Sequence, residues 1–508
     1  MAYPGQKEFL KLSRQGNLIP VYEEIAADLE TPVSAYMKIA QKATYSFLLE
    51  SVEGEAKIAR YSFVACNPKL VFETKGRQAK ITRFKKGKPV VEKTTIQKTP
   101  FDFVREILKP YQFVNLPGLP RFCGGLVGYV AYDVARFFER LPDRTKDDLN
   151  LPDVLLVLAK EIIIFDHLHH KIKIISCVYV PSSLSQSQKI NHYVQALKTI
   201  QQLKEALCRP LSEDKNNHRR KPSRPIKLSV KSNFTPATFT GAVKKAKQEI
   251  RAGEIIQVVL SQRFSVKMQT RPINVYQALR SLNPSPYMFF LNFKGINLIG
   301  SSPELIVRCE HGVVETRPIA GTRPRGKNEQ EDRSLAEGLL ADPKERAEHI
   351  MLVDLGRNDL GRVCEKGSVR VPEFMNIEKY SHVMHIVSSV KGKLKGDKDN
   401  FDVLMSAFPA GTLSGAPKIR AMEIIEDLEK IKRGPYGGCI GYFSFSGNLD
   451  SCIIIRTIIA HKGKAYVQAG AGIVADSDPM KEYQETVNKA KAQLLAIQLA
   501  HDVRPVSA

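Results

Sequence analysis

The sequence predicts an α+β fold. Three observations carry that reading. Short segments rich in β-branched and aromatic residues recur along the chain, as strands require. They follow one another through hairpin-like turns with few clean strand–helix–strand units, which argues against a doubly wound parallel sheet. One segment is also echoed: GGLVGYVAYD at 124–133 and GGCIGYFSFS at 437–446 share GGxxGY followed by alternating residues. Such an echo points to an internal duplication, two related β units that pack together. At 508 residues the chain has room for two or three domain-sized units or one large interwoven one.

From the N-terminus, the predicted strands are YSFLLESV (45–52), RYSFVAC (60–66), 124–133, LLVLAKEIIIFD (155–166) and KIKIISCVYV (171–180). A helix is predicted over 189–207. The stretch 204–231 then holds nine Lys/Arg against three Asp/Glu. Three prolines lie in 208–231, so a basic linker over 208–232 divides an N-terminal region, 1–207, from a second region, 233–500. A helix follows over 236–252, capped by Asn233 or Thr235, opened by Pro236 and ended by Gly253. IIQVVLSQRF (255–264) reads as a strand. KERAEHIMLVDLGRND (344–359) reads as a helix whose apolar residues Ile350, Leu352 or Val353 and Leu355 recur at helical spacing and face a core. A last long helix covers 477–500, with Asp478 near its start.

Composition narrows the function classes. Hydrophobic residues make up 43% and charged residues 25%, as in an ordinary globular protein. No apolar run reaches the roughly 18 residues of a membrane helix. The first residues, MAYPGQKEFLKLSRQG, lack the apolar core of a secretory signal. Eight cysteines are scattered without a CxxC pair or metal-ligand spacing, and read as reduced thiols of a cytoplasmic protein. The net charge of +23 raises nucleic-acid binding, but no zinc-finger, bZIP or RNP-type signature accompanies it. A basic balance equally helps to collect an anionic substrate.

Several residues suit chemistry. Glu345 and Glu348 lie three apart on one helix, and Glu482 and Glu485 three apart on another. Four carboxylates from two helices are a plausible cage for a hard divalent cation; surface glutamates on two solvated helices are the plain alternative. Arg456 sits in the apolar run SCIIIRTIIA (451–460), where it clamps a substrate carboxylate or belongs to a buried ion pair. QAGAGIV (468–474) and FPAGTLSGAPKIRAMEII (408–425) offer glycine-rich backbone to an anion. His385, in an apolar strand, is an acid or base, or a satisfied core histidine. Glu304, after a Ser-Ser-Pro turn, is placed to donate a proton if partly desolvated.

Read together, these stretches resemble the chorismate-utilising enzymes from about 235 to 497. The resemblance rests on IIQVVLSQRF, GSSPELIVR (300–308), ETRPIAGTRPRG (315–326), ERAEHIMLVDLGRNDLGRV (345–363), HVMHIVSSV (382–390), the 408–425 segment, GPYGGCIGYFSFSGNLDSCIIIRT (434–457), QAGAGIVADSDP and KEYQETVNKA. Residues 30–180 resemble the N-terminal region of the anthranilate synthase component I family, including FLLES (47–51). The resemblance implies a large interwoven antiparallel β-sandwich with helices outside. It implies conversion of chorismate with ammonia to anthranilate and pyruvate, Mg²⁺-dependent, through 2-amino-2-deoxyisochorismate, the first committed step towards tryptophan. The absence of tryptophan from the chain suits an enzyme needed when that amino acid is scarce.

By the same resemblance, Glu348 and Glu485 are the Mg²⁺ ligands, supported by Glu345 and Glu482. Gly321, Thr322, Tyr436, Arg456 and the backbone of Gly470, Ala471 and Gly472 hold chorismate. Glu304 protonates the departing hydroxyl, and His385 assists proton transfer in the elimination. Ser51, Pro286, Tyr287 and Met288 match a feedback site for tryptophan. Two positions separate family members: a lysine where this chain has Ala320 typifies aminodeoxychorismate synthases, and one where it has Gln257 typifies isochorismate and salicylate synthases. Both lysines are absent, which is the anthranilate pattern. An aminodeoxychorismate synthase, or a non-catalytic basic binding protein on the same scaffold, are the alternatives. The G-x-C-x-G elbow of glutamine amidotransferases is missing, the sequence around Cys123 being RFCGGL. Use of glutamine is therefore expected to need a separate amidotransferase subunit.

Overall fold

Two twelve-stranded sheets dominate the computed structural model, which describes residues 2–40, 42–52, 60–85, 87–211, 228–380 and 383–500. Most of the basic linker, 212–227, lies outside the described residues. The sheets are antiparallel, and each draws on both ends of the chain. In the first, Tyr45–Glu50 lies beside Tyr287–Phe293, with Leu48 opposite Phe290. In the second, Gly125–Val130 lies beside Cys439–Ser444. The architecture is therefore α+β, an interwoven sandwich with helices outside.

That second pairing is the echoed GGxxGY. Gly128 stands directly opposite Gly441. A Cβ on Gly125 would overlap the carbonyl of Phe443, and one on Gly438 would overlap that of Val130. Each copy needs glycine where the other copy's backbone passes.

Alternation along the strands sorts side chains into layers. Between the sheets lie Phe47, Phe63, Val127, Tyr129, Leu155 and Tyr442. Leu48 and Phe290 point the other way, against Tyr276 of the helix Pro272–Leu282 and Ile497 of Pro479–Leu499. Leu126 and Phe443 face outward from the second sheet, against Phe101 of Pro100–Leu108, Val353 of Pro343–Gly361 and Leu404 of Asn400–Ala407. Burying each such side chain contributes about 1.5–3 kcal/mol before entropy is counted.

Three local expectations change, and one alternative is settled. The run 155–166 is two strands, Val154–Ala159 in the second sheet and Glu161–Asp166 in the first, so the chain crosses between sheets at Lys160. The run 451–460 crosses likewise, between Leu449–Ile453 and Thr457–His461. Arg456 stands at that crossing with φ +51°, not within a strand. Both runs stay apolar through the break because the strands on either side are buried. On Pro343–Gly361 the buried stripe is His349, Leu352, Val353, Gly356 and Leu360, and Ile350 is exposed. Thr235, not Asn233, caps Pro236–Arg251: its side chain accepts from the Thr238 amide, while Asn233 Oδ1 accepts from the Arg263 amide at 2.7 Å. All eight cysteines are free, and six are buried. Among the described residues no helix is long and apolar enough to cross a membrane.

Candidate active site

The two acidic pairs sit at similar places on their helices. Pro343–Gly361 begins at Asp342, whose side chain accepts from the amides of Lys344 and Glu345. Pro479–Leu499 begins at Asp478, which accepts from Met480 and Lys481. An aspartate cap followed by proline fixes each first turn. The glutamates then fall in the first two turns, where the positive end of the helix dipole favours carboxylates.

The pairs share one environment. Lys344 of the first helix acts on Glu482 of the second as well as on Glu348, and Lys489 of the second acts on both as well. The Lys489 ammonium lies 2.6 Å from Glu485 and donates to the Gly470 carbonyl at 3.1 Å. Burial, and then Glu345 beside it, raises Glu348 above the usual carboxylate range; a bond from Gln257 opposes this. Glu482 is raised by burial and by Glu485, against a bond from Ser477. Among the described residues no three carboxylate, imidazole or thiol groups already meet at ligand spacing. The donors are nonetheless all hard carboxylate oxygens, and a hard divalent cation such as Mg²⁺ fits them.

One wall is glycine-lined. QAGAGIV is not a turn but part of the strand Lys464–Ile473, with Gly472 opposite Val259. A Cβ on Gly470 would stand 2.8 Å from the Tyr436 hydroxyl, and one on Gly472 2.6 Å from Gln257 Nε2. The glycines thus keep side-chain volume out of the space that Tyr436 and Gln257 face. The Ala471 methyl points away into a core cluster with Val258 and Ile473.

The acid and base groups connect to these helices and to this wall. Arg456 donates to the Lys489 carbonyl at 3.0 Å; burial lowers its guanidinium's affinity for the proton, while Tyr436 and Glu485 oppose that. His385 Nδ1 lies 2.8 Å from the Gly321 carbonyl and 3.1 Å from Thr322 Oγ1, and burial lowers its pKa. A Cβ on Gly321 would lie 3.1 Å from Glu345, linking this wall to the carboxylates. Glu304 accepts from Thr412 Oγ1 at 2.8 Å. Burial pushes Glu304 up to about 7, although Thr412 and Lys489 pull it down. Lys489 and Glu485 thus tie Glu304, Arg456 and Gly470 to the carboxylate helices, and Gly321 beside Glu345 ties in Thr322 and His385.

The four residues matched to tryptophan line a different cavity, of about 60 Å³. Tyr287 donates to Asp450 at 3.0 Å, and Arg308 Nε lies 3.2 Å from the same carboxylate. Ser51 Oγ, Arg121 Nε and the Tyr442 hydroxyl are buried there without a hydrogen-bond partner among the described residues.

Sequence reasoning missed Lys489, Thr412 and the Arg308–Asp450 pair. Lys489 had a signal, since it lies four residues beyond Glu485 on one helix face. The others had none, because their partners lie over a hundred residues away. Cys123 is no nucleophile: it is buried, its thiol donates to the Pro120 carbonyl, and burial pushes it up to about 12.

Comparison with known proteins adds to this geometry. The family model described as chorismate binding enzyme matches residues 45–495. The chain is 49% identical over 505 residues to anthranilate synthase component 1 of Acetivibrio thermocellus, covering 99% of this chain and 100% of that one. It is 47% identical to the protein of that name from Aquifex aeolicus, covering 98% of each. The crystal structure of anthranilate synthase component I from Streptococcus pneumoniae superposes with a TM-score of 0.74 at 38% identity, covering 93% of this chain and 99% of that chain. A site of paired carboxylates, a glycine-lined wall and an arginine at a sheet crossing thus sits within sequence shared end to end, and the chain belongs to the chorismate-binding enzyme family.

Proposed function

We propose that the chain is the large subunit of an anthranilate synthase, converting chorismate and ammonia to anthranilate and pyruvate. The observation that supports this most is the meeting of Glu348, Glu485, Glu304 and Arg456 around Lys489, with His385 within reach of the Arg456 charge and no lysine at 257 or 320. Arg456 and the backbone near Gly470 hold the substrate's carboxylate. Glu304, still largely protonated below neutral pH, gives its proton to the C4 hydroxyl, which leaves as water while ammonia bonds to C2. His385, kept neutral by burial, then takes the C2 proton. The C2–H electrons form the last ring double bond as the bond from C3 to the enolpyruvyl oxygen breaks, and the departing enolpyruvate takes the proton from His385 on its methylene carbon to become pyruvate. Glu348 and Glu485, aided by Glu345 and Glu482, would hold Mg²⁺, which when bound takes up charge on the ring carboxylate and the leaving hydroxyl. The free thiols suit a reducing compartment, the cytoplasm.

Incubation with chorismate, ammonia and Mg²⁺ is expected to give fluorescent anthranilate and pyruvate in equal amounts. An aminodeoxychorismate product, or salt-sensitive nucleic-acid binding without turnover, contradicts the reading. Glutamine in place of ammonia should support no turnover by the isolated chain, because a separate amidotransferase subunit must release the ammonia. The cavity beside Ser51 supports feedback by tryptophan: an indole body meets Met288 and Pro286, and its polar groups meet the unpartnered Ser51. Saturating tryptophan should weaken chorismate use by about tenfold or more; an unchanged rate refutes it.

A further inference from the structure

Behind the glycine wall lies a buried ion pair that touches neither carboxylate helix. Arg433 and Glu429 are 2% and 3% exposed. Arg433 Nε and Nη2 donate to the two Glu429 oxygens at 2.9 and 2.6 Å. Glu429 also accepts from the amide and hydroxyl of Ser261, at 2.7 and 2.9 Å. A pair this deep is weak as a source of stability, because apolar residues of similar volume do as well. Its remaining bonds show what it organises. Nη1 donates to the Leu413 carbonyl at 2.6 Å and Nη2 to the Val259 carbonyl at 2.7 Å. The guanidinium lies over the rings of Tyr132 and Tyr436, 4.7 and 5.7 Å from their centroids.

Each contact leads to a different wall of the site. Leu413 closes the short turn Gly411–Leu413, whose Thr412 donates to Glu304. Val259 is opposite Gly472 in the glycine-lined ladder. Tyr436 presents its hydroxyl to Gly470. We propose that Arg433, oriented by Glu429, is a positioning residue for the reaction: it locks the 411–413 turn so that Thr412 meets Glu304, and sets Tyr436 against the glycine strand. This rests on the role given to Glu304 above. The other charged groups near Glu304 are Lys489 of Pro479–Leu499, and Arg317 and Asp359, which line the same space.

The test reads the Glu304 proton directly. The infrared C=O stretch of the protonated carboxyl, assigned by its loss in Glu304→Gln, is followed against pH in the full chain. Thr412→Val removes a bond that favours the carboxylate, so the midpoint should rise by about 0.5–1 pH unit. Arg433→Lys reaches one acceptor where arginine reaches three, frees the turn, and should raise the midpoint by a similar amount. Both changes in one chain should go no further than Thr412→Val alone. The neutral pair Glu429→Gln with Arg433→Gln strands no buried charge and is read in the same way if the lysine variant does not fold. A midpoint left at the wild-type position in the Arg433 variants while Thr412→Val moves it overturns the proposal, as does no shift in any variant. If the infrared midpoints move and the pH profile of turnover does not follow, Arg433 still governs Glu304, and the proton-donor role is what falls.

Discussion

Glu348→Ala and Glu485→Ala should each lower turnover by about 10³-fold or more, the equivalent of roughly 4 kcal/mol of lost charge stabilisation. The two residues lie on different helices, 137 positions apart, yet both answer to Lys489. Removing either leaves a three-carboxylate set that holds a divalent ion poorly. The loss should also be visible without substrate. Calorimetric titration with Mg²⁺ should show binding to the wild-type chain and binding weakened by about 10–100-fold or more in each variant. Glu345→Ala and Glu482→Ala should lose less. Glu345→Ala should also bring Glu348 closer to the usual carboxylate range, since it removes the like charge that helps to raise its neighbour. A Glu348→Ala chain that turns over within tenfold of wild type would remove the carboxylates from the mechanism.

Glu304→Gln is expected to lower kcat by about 10²–10⁴-fold, the usual contribution of a positioned acid. Its pH dependence follows from burial. The folded chain holds the Glu304 carboxyl at about 7, above its ordinary 4.5, so the protonated form persists towards neutrality. As a proton donor, Glu304 should support wild-type turnover below about 7 and lose it as pH rises through that value, and the substituted chain should lack this limb. Stability carries the same sign. A raised carboxyl contributes fully below its unfolded value and loses that contribution as pH rises through its folded one. The fall therefore belongs to the window from 4.5 to about 7. Glutamine cannot ionise, so Glu304→Gln should melt closer to wild type, or above it, at pH 8 than at pH 4. Melting curves across that range check the sign, and a gap that widens at high pH contradicts it.

The acidic helices were legible because helical spacing, an Asp-Pro start and paired glutamates are all local features. Glu304 was legible from a turn followed by a strand. The glycines near 470 were visible as glycines, but their form was not: glycine usually marks a turn, whereas here it keeps a strand clear of Tyr436 and Gln257. The crossings at Lys160 and Arg456 were hidden for a different reason. Strands on both sides of each crossing are buried, so hydrophobicity runs through the break without a dip. Ile350 misled because an aliphatic residue was assumed to face inward, while the buried stripe passes through His349, whose ring pairs with Ser388 at 2.6 Å. The polar frame around the second cavity joins Tyr287 to Asp450, and no local pattern announces a partner at that distance.

Because early and late strands meet at one pairing in each ladder, and the cavity beside Ser51 straddles that seam, the cavity is not a detachable module. Severed at the basic segment, each fragment would expose long raw backbone edges and aggregate before meeting its counterpart. A guest wedged beside Ser51 presses on Leu449–Ile453, the strand that leads to Arg456. That cavity can therefore be altered only one side chain at a time, since deleting it would unpair both ladders.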